Sequence, residues 1–111
     1  MLSKNKFHKI IDVIAYVKES DGKDDDFCLY GADKNTLEID GEYFISDYPD
    51  VCSDKEIYPE EVTNLGLSYL YSGEQFVDVV TLAIDQNPDA SDSLLISALN
   101  YYQENDDFLD I

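Results

Sequence analysis

Histidine, cysteine and carboxylate carry most protein chemistry, and this 111-residue sequence is rich only in the last, with 25 acids, one histidine and two cysteines. His8 stands beside Phe7 among Lys4, Lys6 and Lys9. A Ser-His or Cys-His nucleophile pair would have to use it, and its cationic surroundings read as a solvent-facing ring. Cys28 and Cys52 lack the spacing of a zinc site and read as free thiols. The best calcium-like stretch, DQNPDASDSLLI, sets Asp85, Asn87 and Asp89 at the first, third and fifth loop positions. It then has Ala90 where glycine must turn the loop and Ile96 where a bidentate glutamate belongs, so it reads as a capped turn between helices. No glycine-rich phosphate loop is present, and arginine, the usual bidentate grip on phosphate or carboxylate, is missing altogether. The expectation is a non-enzymatic protein without metal or cofactor.

The elements that would position such residues follow from periodicity. SKNKFHKIIDVIAYVKES, residues 3–20, places Phe7, Ile10, Ile11, Ile14 and Val17 at helical spacing, which predicts one N-terminal amphipathic helix. FCLY reads as a strand before the loop GADKNT, and LEIDGEYFI as a hairpin turning on Asp40-Gly41. SDYPDVCSDKEIYPEEV reads as irregular, with a short helix from Pro59 to Leu65 stopped by Gly66. LSYLYS is a further strand. Ser72 and Gln75 form a capping box that opens a helix over 73–86; Asp89 or Ser91 caps a last helix running to about Asn105. The class expected is α+β, one domain over 1–111: a small, mainly antiparallel sheet flanked by the N-terminal helix and two C-terminal helices.

Where the acids fall is the stronger signal. The net charge is -18; all seven cations are lysines, and Lys55 is the last. The chain through Lys55 carries -6 and the remainder -12. Such a surface repels nucleic acid and anionic membranes and attracts cationic partners. No secretory signal and no membrane-length apolar run is read, so the expected location is the cytoplasm. On the 73–86 helix Phe76, Val80, Ala83 and Ile84 form the core stripe, with Glu74, Asp78 and Asp85 opposite. On the last helix Leu94, Leu95, Ala98, Leu99 and Tyr102 form the stripe, leaving Asp92, Asn100, Gln103 and Glu104 outside it. A merely solvated face alternates charge signs for i,i+4 support, and these faces never do. Tyr101, at the edge of the stripe, offers an aromatic anchor. The partner-binding candidates are therefore Glu74, Asp78, Asp85, Tyr101, Glu104, Asp106 and Asp107.

NPDAS followed by a helix closing on LNYYQENDDF, residues 87–108, resembles the C-terminal signature of small acidic bacterial proteins, some of the type that confers immunity in contact-dependent growth inhibition. The resemblance implies a cytosolic protein that binds and neutralises a cognate toxin domain with a basic surface, most naturally a nuclease. Two other readings compete. One is a nucleic-acid-mimicking acidic adaptor for a host nucleic-acid-binding protein, the other a small hydrolase working through a carboxylate pair.

Overall fold

The computed structural model describes residues 3–32, 37–53 and 55–109. Residues 33–36 of the expected loop lie outside them. Four antiparallel strands form the main sheet: β1 (Lys6–Lys9), β2 (Cys28–Gly31), β3 (Glu42–Ser46) and β6 (Ser68–Ser72), in the order β1-β3-β2-β6. A two-stranded ribbon, β4 (Asp50–Cys52) with β5 (Lys55–Ile57), precedes α2 (Glu60–Asn64). The longer helices are α1 (Ile10–Glu19), α3 (Gly73–Gln86) and α4 (Asp92–Asn105). The α+β class and the flanking helices agree with the sequence reading.

Strand alternation divides the core in two. Leu29 and Ile45 turn to one face, where they pack with Ile10, Val13, Ile14 and Val17 of α1, Phe76 and Val80 of α3, and Leu95 and Leu99 of α4. Cys28, Tyr30 and Phe44 turn to the other, where Val62 of α2 covers them. A register shift between Leu29 and Tyr30 lets β6 place two consecutive residues, Leu70 and Tyr71, in the main core while Tyr69 joins the second cluster.

Local expectations are corrected at the first helix and at Asp40-Gly41. Lys6–Lys9 is a strand, so the first helix begins only at Ile10. Lysines in a first helical turn oppose the helix dipole, whereas on an edge strand they discourage unwanted pairing. Phe7 accordingly lies half exposed opposite Phe44, ring centroids 5.1 Å apart, and not on the helix stripe. Asp40-Gly41 is likewise not a hairpin tip. Residues 38–41 close a turn, Gly41 N–H donating to Glu38 C=O at 2.9 Å. The Gly41 carbonyl then accepts the first amide of α1, from Ile10, at 3.0 Å. The backbone of buried Leu37 is met by a side chain in place of a strand: Leu37 N–H donates to Asn100 Oδ1 at 2.7 Å, and Asn100 Nδ2 donates to Leu37 C=O at 3.0 Å. Asn100, read as lying outside the core stripe, thus holds the 37–41 turn against α4.

Candidate functional site

Ser72 caps α3 through the Gln75 amide, and Ser91 caps α4 through the Leu94 amide. These starts fix which residues face outward. Glu74, Asp78 and Asp85 are exposed on α3, as are Tyr101 and Glu104 on α4. Asp106 and Asp107 follow α4, also exposed. The seven candidates do not make one uniform face. Asp85 lines a groove of about 310 Å³ between α1 and α3, which it shares with Val17, Thr81 and the cationic Lys18. Lys18 lies 3.5 Å from Asp92, so that end of α3 is partly neutralised. Glu74 and Asp78 lie toward the other end of α3.

The last two acids also serve the backbone. Asp106 adopts the left-handed conformation that ends α4, its N–H donating to Tyr102 C=O. The Asp107 carboxylate accepts the Phe108 amide at 2.9 Å, and this reversal lays Phe108 on Tyr102, centroids 5.0 Å apart. Tyr102 is half-buried against the core and its neighbour Tyr101 is 38% exposed. His8 sits on β1, half-buried, with Nε2 2.7 Å from the Ser3 carbonyl. Cys28 is a buried free thiol whose pKa desolvation pushes up to about 11, which disfavours the nucleophilic thiolate. The side chain of Cys52 lies outside the described residues. At the calcium-like stretch, the Asn87 side chain accepts the Asp89 amide in a local turn, and Ile96 is core. Among the described residues, no group of three or more His, Cys, Asp and Glu side chains is placed to hold a metal ion.

A second acidic surface, unread in the sequence, lies on the opposite face of the sheet. Four aromatic rings cross that face strand by strand: Phe7, Phe44, Tyr30 and Tyr69, with Tyr58 set edge-on to Tyr30 at 6.1 Å. The β4–β5 ribbon stands beside them and makes two clefts. Its Asp50/Ile57 pair lines one of about 610 Å³ with Tyr48, Tyr58, Pro59 and Glu60. Its Val51/Glu56 pair lines one of about 420 Å³ with Tyr48, Tyr58 and Tyr69. Val51 is 76% and Ile57 53% exposed, so the ribbon's apolar side chains remain largely in water. Among the described residues, no lysine lines either cleft. Lys4 reaches Asp47, on the rim, at 2.7 Å and Asp26 at 3.4 Å. The tyrosines remain protonated donors. Burial raises the pKa of Tyr48 and Tyr69, and the Tyr58 hydroxyl, raised chiefly by its hydrogen bond, donates to Glu56 at 3.0 Å. The signal that would have found this surface is the alternation in DVC and KEI about a turn, which builds the ribbon from a stretch read as irregular.

No helix among the described residues is long and apolar enough to cross a membrane. Comparison with curated proteins and with solved structures finds no match. Residues 7–111 match the family model described as Domain of unknown function (DUF7716), and the chain belongs to that family.

Proposed function

We propose that this member of the DUF7716 family is a cytoplasmic binding protein that neutralises a cation-rich partner, and that the partner is a basic toxin of the nuclease class. The observation that carries the reading is the disposition of charge. No cation follows Lys55, and Glu74, Asp78, Tyr101 and Glu104 are held outward by well-capped helices. Acids kept in water without cations beside them repel one another, and a basic surface docking against them relieves that repulsion. A nuclease gathers cations to hold phosphates, so an acidic surface with aromatic anchors is its complement in charge. The C-terminal signature that resembles immunity proteins of contact-dependent growth inhibition agrees with this reading. Neutralisation here needs no turnover: the chain acts by occupying its partner.

The test is to recover the tagged chain from its own host and assay what comes with it. One stoichiometric basic partner, whose cleavage of RNA or DNA stops at one equivalent of added chain, supports the proposal. A broad set of host nucleic-acid-binding proteins would replace it with the nucleic-acid mimic. Hydrolysis by the isolated chain, lost when one carboxylate is removed, would overturn the non-enzymatic reading.

A further inference from the structure

We infer that the clefts meeting at Tyr58 dock an arginine-bearing extended segment of the basic partner, one guanidinium lying on the Tyr58 ring between Asp50 and Glu60. This rests on the reading above and deepens it, because it names the side chain that the partner must present.

The walls of the larger cleft are Tyr48, Ile57, Tyr58 and Pro59, an aromatic and apolar surface, while Asp50 and Glu60 bring carboxylates to it from the ribbon and from the first turn of α2. A purely apolar occupant would strip water from these carboxylates and return no hydrogen bond. An anion would meet them as like charges. A second copy of the chain carries -18 and has no arginine to offer. Lysine satisfies the charge alone, through a compact and strongly hydrated ammonium. A guanidinium is planar, so it can stack on a tyrosine ring while its N–H fork meets a carboxylate edge. Tyr58 supports that role: it is 37% exposed, its ring is braced edge-on by Tyr30, and its hydroxyl is engaged by Glu56. Both clefts share Tyr48 and Tyr58, so a segment crossing the ribbon can place successive side chains in each.

The experiment titrates the isotopically labelled full chain, at low salt, with a short peptide of alternating arginine and serine. Matched lysine and citrulline peptides are run alongside, and amide resonances are followed. The expected result is shifts over 48–60, tighter binding by arginine than by lysine, and none by the neutral citrulline peptide. Tyr58→Ala should weaken the arginine peptide by roughly three- to thirtyfold, the range of a cation–π contact from exposed to desolvated. Tyr58→Phe keeps the ring and should bind as the parent does. The pair Asp50→Asn and Glu60→Gln, near-isosteric and at exposed positions, should weaken binding without disturbing resonances of the helices. Equal binding by arginine and lysine, with shifts confined to α3 and α4, would overturn the cleft and leave the basic-partner reading standing. Failure of both cationic peptides to bind at low salt would count against both.

Discussion

Single residues decide the tightest joints of this fold. The N–H of Gly73 donates to the Phe27 carbonyl at 2.6 Å, and a Cβ there would fall on the carbonyl oxygens of Asp25 and Phe27. Backbone cannot swing aside as a flexible side chain would, so Gly73→Ala should destabilise the protein by about 1–3 kcal/mol despite alanine's better helix propensity. Denaturant midpoints check this; an unchanged midpoint would mean that the β2–α3 joint yields. The next amide, of Glu74, donates to the Tyr48 hydroxyl at 3.2 Å, and Tyr48 in turn donates to Asp25 C=O at 2.9 Å. Neither joint was legible in the sequence, because each joins segments far apart in the chain. Asn100 is the same case: a polar residue beside a core stripe reads as surface until the buried amide and carbonyl of Leu37 are seen to need it. Tyr101 and Tyr102 were legible, since helical period alone separates them.

At the scale of elements, the signals that worked were those with a local mechanism. Ser72 and Ser91 cap helices through amides three residues on, so the start of α3 was readable to the residue and that of α4 to one of two caps, Asp89 or Ser91, of which the structure uses Ser91. Ser91→Ala should therefore cost about 1 kcal/mol, the usual value of a lost cap, measured by thermal or chemical unfolding. Ser91→Asp, which keeps an acceptor at the helix N-terminus, should restore most of it. The signals that failed were ones two structures could satisfy. Phe7, Ile11 and Ile14 fit a helix, yet Phe7 also alternates with the lysines of an edge strand, and pairing with β3 decided for the strand. Asp-Gly marks a turn without saying what it joins; here it delivers a carbonyl to α1. The short β4–β5 ribbon was missed because three-residue strands carry too little alternation. With it went the clefts, and so the second of the two candidate binding surfaces.

For the whole molecule, charge and buried tyrosine set the response to solution conditions. Desolvation raises the pKa of Tyr30 and Tyr71 above the ordinary value of 10.0; Tyr71 donates to the Leu99 carbonyl and Tyr30 to that of Asp47 at 2.8 Å. A folded pKa above the unfolded one means that the neutral form is favoured by folding. That stabilisation is complete below pH 10 and is lost as pH rises beyond it. Unfolding midpoints should accordingly fall steeply above pH 10, and less steeply in Tyr30→Phe/Tyr71→Phe; identical slopes would assign the alkaline loss to other groups.

The net charge of -18 bears on encounter more than on affinity. Its reach at physiological ionic strength is about 8 Å, so the nearest exposed acids dominate the final approach. The most direct test is stopped-flow association with the co-purified basic partner over a range of salt. It compares the parent chain with Glu74→Gln/Asp78→Asn/Asp85→Asn and with Glu104→Gln/Asp106→Asn/Asp107→Asn. Asparagine tolerates the left-handed conformation at 106 and keeps an acceptor at 107, so both variants should fold. Steering of about 10- to 1000-fold is at stake. The predicted result is slower association and a flatter salt dependence in both variants. If both fold and associate at the parent rate at low salt, the acids along α3 and at the end of α4 are only a solvated surface and the proposed docking to a basic partner through α3 and α4 is wrong.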